Sequence, residues 1–210
     1  MEYEVRYYFS KDKFKTIISK LEKKEDLKKQ ERCYEKTIQY DNPNPQFSFY
    51  CKEIDGRFRV RVTKNDSISK CKISWKRRIL STTATDINKE EEIELNIQYN
   101  EYDNLMLILD NVLKMRSVES YERYRTIFTN DDIEIAVDEY PFGIALEIEN
   151  KSKEKDPETV VKYWADMLEL KIEDAYRLSW DDKYSELCKE QNIQHYNHVA
   201  FDLPMPKVID

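Results

Sequence analysis

Glycine is almost absent: the 210 residues contain only Gly56 and Gly143. A Gly-x-Gly-x-x-Gly turn needs three glycines, and these two are not spaced as Gly-x-x-x-x-Gly-Lys. Both motifs hold phosphates against backbone that no Cβ obstructs. A P-loop nucleotide hydrolase and a glycine-fingerprint dinucleotide enzyme are therefore excluded, and any phosphate chemistry must use side chains. Histidine is equally scarce, with His195 and His198 alone, which argues against a multi-histidine zinc site. The cysteines Cys33, Cys51, Cys71 and Cys188 stand far apart without a Cys-x-x-Cys pair, so free thiols are expected rather than a disulfide framework. No run approaches the roughly 20 apolar residues of a membrane span. Met1-Glu2-Tyr3-Glu4 lacks the apolar stretch of a signal peptide. The expectation is a cytoplasmic protein with no membrane partner.

What is present is charge. There are 35 Lys+Arg against 42 Asp+Glu, a formal net charge of -7, and 37% of the chain is charged against 40% apolar. That apolar share fills one core at this length, and fifteen tyrosines with three tryptophans argue against disorder. One domain over residues 1–190 with a tail over 191–210 is expected, with no internal repeat.

Periodicity separates strands from helices. Glu2 to Phe9 alternates as a strand. Ser10 reads as an N-cap for a helix carrying Phe14, Ile17, Ile18 and Leu21, which fades near Lys29. Glu31–Tyr40 and Gln46–Lys52 read as strands around the turn Asn42-Pro43-Asn44-Pro45, and Ile54-Asp55-Gly56-Arg57 as a hairpin turn. Strict alternation follows at 57–62, 70–76 and 90–97, with a Thr-rich loop over 81–88. A second helix is expected over 101–115. Strands return at Glu119–Phe128, Ile133–Asp138 and Ile144–Glu149. Asp156-Pro157 opens a third helix with proline in the first turn, a short helix follows near 181–190, and Pro204-Met205-Pro206 suggests an extended tail.

The polar face of nearly every strand is ionisable. Even spacing puts Glu2, Glu4 and Arg6 on one face of the first strand, and Arg57, Arg59 and Arg61 on one face of another. Further rows are Lys70, Lys72 and Lys76; Glu90, Glu92 and Glu94; Glu119, Arg123 and Arg125; and Glu134, Asp138, Glu147 and Glu149. One alternative is a wet sheet face laced with cross-strand ion pairs. The other is a closed barrel with these rows pointing inward and helices covering the outward apolar faces. The Arg-x-Arg-x-Arg row suits bidentate contact with phosphate oxygens. The paired glutamates are hard oxygen donors that suit Mg²⁺ or Mn²⁺.

The ordered set of rows resembles the CYTH proteins, or triphosphate tunnel metalloenzymes. Glu2-Tyr3-Glu4-Val5-Arg6 is similar to their Glu-x-Glu-x-Lys opening, with arginine where lysine is usual. Arg57-Phe58-Arg59-Val60-Arg61, Ile73-Ser74-Trp75-Lys76, Glu92-Ile93-Glu94 and Ser120-Tyr121-Glu122-Arg123-Tyr124-Arg125 follow in the family's order. Asp138-Glu139-Tyr140-Pro141-Phe142-Gly143 leading into Glu147-Ile148-Glu149 resembles the family's closing motif. The resemblance implies an α+β fold, an eight-stranded antiparallel β-barrel with helices packed outside. It implies metal-dependent hydrolysis of a small-molecule triphosphate, such as tripolyphosphate or a nucleoside or thiamine triphosphate. Glu4, Lys76 and Arg125 would be catalytic. Arg6, Arg57, Arg59, Arg61, Lys76, Arg123 and Arg125 would bind substrate. Glu2, Glu4, Glu92, Glu94, Asp138, Glu147 and Glu149 would hold Mg²⁺ or Mn²⁺.

Several positions keep an ordinary alternative. Arg57, beside the turn, is open between surface and phosphate. Glu90 and Glu91 read as a solvated run, Arg78 as a strand-end charge, and Glu134 as tunnel or rim. His195-x-x-His198 in a polar tail reads as a loop. The rivals to a triphosphatase are an adenylyl cyclase on the same scaffold and a non-catalytic polyphosphate- or nucleotide-binding module. An RNA 5′-triphosphate end is the nucleic-acid substrate the family would allow. Monomer and homodimer both stay open.

Overall fold

The computed structural model describes residues 2–50, 55–79 and 87–210. Eight strands carry the fold: β1 (Glu2–Phe9), β2 (Cys33–Asp41), β3 (Gly56–Lys64), β4 (Ser69–Arg78), β5 (Asn88–Ile97), β6 (Arg116–Thr129), β7 (Ile133–Tyr140) and β8 (Gly143–Asn150). They are hydrogen-bonded in the order β6-β2-β3-β4-β5-β1-β8-β7, and β7 pairs back onto β6. All eight pairings are antiparallel, so the sheet closes into a barrel and the edge-strand problem disappears. The expected α+β barrel is what forms.

Alternation decides which way the barrel faces. On β1, β7 and β8 the apolar set Val5, Tyr7, Ile133, Ile135, Val137, Ile144, Leu146 and Ile148 points outward. It packs under Leu21 of α1 (Phe14–Glu22) and under Val160, Val161 and Trp164 of α3 (Pro157–Met167). Each large apolar side chain fully buried there contributes about 1.5–3 kcal/mol. With the outward faces covered by helices, the ionisable faces turn in. Asp156 caps α3 by accepting from Thr159 N, with Pro157 in the first turn as expected. A second outer core forms where α2 (Tyr102–Leu107) and the π-helical turn Ile108–Val112 bring Leu109 onto Tyr40, Val60 and Cys71.

α4 (Trp180–Glu190) and the tail make a third core with Tyr121, Tyr140, Phe142 and Val208. His198–Val199 adds two residues in parallel to β6, and Val208 N donates to Phe142 O at 2.8 Å. Gly143 permits this approach: a Cβ there would sit 2.6 Å from Val208 Cγ2 and 3.0 Å from Phe9 O. Cys33, Cys71 and Cys188 are free thiols. No helix among the described residues is long and apolar enough to cross a membrane.

Local expectations fail where side chains compete for the backbone. α1 ends at Glu22, and Lys28–Lys29 instead pairs with β6. Ser10 heads the first turn, but its hydroxyl donates to Asp210 of the tail at 2.8 Å. Gln46 opens no strand: Pro45–Phe47 is a 3-10 turn, with Asn44 accepting from Gln46 N and Asp41 from Phe49 N. The remainder of that segment, Cys51 and Lys52, and Ile54 of the hairpin lie outside the described residues, as does most of the loop over 81–88.

Candidate functional site

The inward rows enclose a cavity of about 310 Å³. Ten basic residues and seven acidic ones line it, among them Arg57, Arg59, Arg61, Lys76, Arg123, Arg125, Glu2, Glu92, Glu147 and Glu149. A chain of net charge -7 therefore presents more cations than carboxylates to this cavity. Charges this close to low-dielectric walls act strongly on any ligand that enters.

One wall is acidic. Lys76 Nζ lies 2.9 Å from Glu2 Oε2, 3.1 Å from Glu4 Oε2 and 2.5 Å from Glu90 Oε2, with Glu92 at 3.9 Å. Burial opposes its charge most strongly, but Glu4, Glu2, Glu147 and Glu92 together hold its pKa above the usual lysine value. Glu149, opposite Glu4 in the β1–β8 pairing, is pushed up to about 8 by burial and then by Glu2, against the pull of Lys151. Four carboxylates thus converge around one ammonium. Glu2, Glu4 and Glu90 each bring an oxygen to within 4.8 Å of the other two. Surplus negative charge on hard oxygen donors is the chemistry that suits a divalent cation, so these residues fit one.

The other wall is guanidinium. Arg123 Nη1 donates to Asp138 at 2.7 Å and Nε to Glu35 at 2.7 Å, and Arg125 holds Asp138 by two bonds of 2.7 Å. Arg61 donates to Thr37 at 3.1 Å and to the Tyr121 hydroxyl at 3.2 Å. Burial opposes the charge on Glu35, yet Arg123, Arg61 and Arg125 more than offset it and hold the carboxyl far below its usual range. Arg59 is less well served. Burial pulls its pKa down, and its Nε has no hydrogen-bond partner among the described residues. Arg57 is 5% exposed and pairs with Asp55 at 3.2 Å.

The walls are joined through Arg6, which donates to Glu147 at 2.6 Å and to Glu4 at 3.1 Å, and through Arg125, 3.6 Å from Glu147. A continuous run of ion pairs therefore reaches all eight strands. α4 closes one end, where Ser179 and Trp180 line the cavity and Trp180 packs on Tyr121 with ring centroids 4.4 Å apart. The opposite end is wetter: Lys72 and Glu94 pair at 2.8 Å with 34% and 39% of their side chains exposed.

All of the basic residues anticipated as substrate contacts line this cavity. The anticipated metal ligands do not form one cluster. Glu2, Glu4 and Glu149 converge; Glu92 lies beside them; Glu94 is held by Lys72 at the mouth; Asp138 and Glu147 are held by arginines. Glu90 is buried within the acid cluster, not solvated, because its register opposite Glu2 and Arg78 turns it inward. Arg78 and Glu134 also line the cavity. Glu35 stands in a row with little charge, and Tyr121 is the uncharged member of the row of Glu119, Arg123 and Arg125; neither was anticipated as a site residue. His195 and His198 serve different elements, bonding Ser185 and Ser120.

No protein-family profile and no curated protein matches the chain. Solved structures do. The PH1819 protein of Pyrococcus horikoshii OT3 aligns with a TM-score of 0.62 at 26% identity, over 91% of this chain and 99% of that one. A candidate adenylate cyclase from Vibrio parahaemolyticus aligns at 0.63 and 18% identity, over 88% and 97%. A candidate adenylyl cyclase from Hippeastrum, HpAC1, reported to show a dominant triphosphatase activity, aligns at 0.58 and 16% identity, over 94% and 99%. The class is that of closed, charge-lined antiparallel tunnels. Within it, this chain shares the fold of these candidate cyclases, a closed eight-stranded antiparallel barrel with helices outside, consistent with the CYTH resemblance.

Proposed function

We propose that the tunnel binds a triphosphate together with Mg²⁺ or Mn²⁺ and hydrolyses its terminal anhydride bond. The observation that carries this reading is the division of the tunnel into an acid wall and an arginine wall. A module that only bound anions would gain nothing from four converging carboxylates. Glu2, Glu4 and Glu149, with Glu90 beside them and Glu92 next in the row, hold the metal. Bound there, a divalent ion polarises a phosphoryl oxygen and lowers the pKa of a water.

Arg59, Arg61, Arg123 and Arg125 grip phosphate oxygens, with Arg57 towards the closed end and Arg6 between the walls. Glu35, Asp138 and Glu147 fix the guanidiniums so that little reorganisation is needed as charge moves in the transition state. Lys76, held among Glu2, Glu4 and Glu90, supplies a further positive charge on the acid wall. Water oxygen bonds to the terminal phosphorus and gives up a proton to solvent, the anhydride P–O bond breaks, and the leaving phosphate oxygen keeps the electron pair.

The test offers tripolyphosphate, ATP, GTP and thiamine triphosphate separately, each with Mg²⁺ and with Mn²⁺. Orthophosphate release that stops in EDTA is expected. Pyrophosphate with cyclic AMP from ATP would replace hydrolysis by cyclisation, and tight binding without product would leave only a binding module.

A further inference from the structure

Tyr121 lies on β6 two residues before Arg123 and is 1% exposed. Its ring is fixed by Trp180 at 4.4 Å and Tyr140 at 5.8 Å between centroids. Its oxygen accepts a hydrogen bond from Arg61 Nη2 at 3.2 Å. The groups facing the phenol are mostly cationic. β3 brings Arg59 and Arg61. β6 itself brings Arg123, whose guanidinium carbon lies 5.9 Å over the ring. β2 offers Thr37 and, nearby, Glu35; β7 offers Tyr140; α4 offers the uncharged Trp180.

A guanidinium has donors only, so it favours a phenol oxygen that has lost its proton. Glu35 is engaged by Arg123 at 2.6 Å, with Arg61 at 3.9 Å. Arg123 also pairs with Asp138 of β7 at 2.7 Å, whereas among the described residues Arg61 has only Glu35 within reach and Arg59 has no ion pair, so the Tyr121 oxygen is the next site able to carry negative charge beside Arg59 and Arg61. The electrostatics agree in direction. Burial pushes the hydroxyl up, but Arg61, Arg123 and Arg59 outweigh it and bring Tyr121 to about 7.

We propose that Tyr121 is a proton-exchanging member of the anion site: as phenolate it balances Arg59 and Arg61, and it takes up a proton when phosphate oxygens assume that role. The proton comes from solvent, and no covalent bond to the ligand forms or breaks. The ionisation stands on the geometry around Tyr121. Its coupling to anions rests on the reading of the tunnel as a triphosphate site. Uptake of one proton makes affinity fall up to about tenfold per pH unit above the phenol's pKa.

The test follows the near-ultraviolet phenolate band of the full chain in EDTA against pH, with Tyr121→Phe alongside. Ordinary tyrosines ionise near pH 10. One phenol titrating close to neutrality in the wild type and missing from Y121F is expected. Tripolyphosphate added at about pH 8 should bleach that band, and above pH 7 tripolyphosphate affinity should fall more steeply in wild type than in Y121F. Should Y121F not fold, ring-carbon NMR of labelled tyrosine in the wild type reads the same ionisation. Titration of every tyrosine only near pH 10 would overturn the proposal. A neutral-range band unchanged while tripolyphosphate binds overturns the coupling. Failure of tripolyphosphate to bind sinks the tunnel reading, and the coupling with it, while leaving the ionisation in place.

Discussion

The two walls of the tunnel are built by the same device and end in opposite chemistry. Both are antiparallel strands with inward rows at even spacing. The wall of β1, β4, β5 and β8 gathers Glu2, Glu4, Glu90 and Glu92 around Lys76, with Glu149 opposite Glu4. The wall of β2, β3, β6 and β7 gathers arginines around Glu35 and Asp138. In the first, carboxylates outnumber their cation and one is driven up to about 8. In the second, cations outnumber their carboxylates and Glu35 is driven far down. Net charge of the chain carries no such information. What matters is that each wall lacks the charge a metal–triphosphate complex would bring to it.

The largest effect should come from emptying the middle of the arginine wall. Asp138→Ala leaves Arg123 and Arg125 buried without their shared partner, and breaking a buried pair costs about 3–5 kcal/mol. Denaturant unfolding should show a loss of that order. Next, Arg59→Ala removes a guanidinium whose buried Nε has no partner among the described residues, so the fold should persist while tripolyphosphate affinity falls. A hydrogen bond to a charged group is worth about 1.5–3 kcal/mol, roughly 10- to 150-fold. Calorimetry should find Mn²⁺ binding to the acid wall unchanged in the same variant, and a parallel loss of both would break the division into two walls.

A pH effect sharpens the comparison at the closed end. Glu119 is pushed up to about 7 by burial first and then by Asp181, with Arg57 opposing. Its folded pKa lies above the usual glutamate value of 4.5, so burial favours the protonated form in the fold. Its contribution is full below pH 4.5 and is lost as pH rises towards 7. Melting temperature followed over that window should decline less in Glu119→Gln than in wild type. The smallest effect belongs to the mouth: Lys72→Ala removes a half-exposed pair with Glu94, worth at most about 1 kcal/mol, and stability should barely change.

The barrel was legible because rows such as Arg57, Arg59, Arg61 and Glu147, Glu149 repeat every second residue and share a face in any strand. Closure was legible only through the helices, whose apolar faces need the outer side of the sheet. Glu90 was misjudged because three consecutive glutamates look like a wet run, although its parity with Glu92 already pointed inward. Glu35 shares its row with Cys33, Thr37 and Gln39, a row with too little charge to stand out. Tyr121 shares the parity of Arg123 and Arg125, but its place opposite Thr37 and next to Arg61 follows only from the register of β6, β2 and β3. The segment after Asp41 misled for a local reason: the side chains of Asp41 and Asn44 capture backbone N–H groups that a strand would have used.

The central claim is that the acid wall serves a metal and the arginine wall serves the phosphates. Orthophosphate release from tripolyphosphate, measured for wild type and Glu4→Gln while Mg²⁺ or Mn²⁺ is raised from zero, tests it most directly. Wild-type release should rise with metal. Glu4→Gln should fold, still bind tripolyphosphate in EDTA, and lose turnover by more than the roughly 10–100-fold that outer partners of a metal cost. Full turnover by Glu4→Gln, or wild-type turnover indifferent to EDTA, would contradict it.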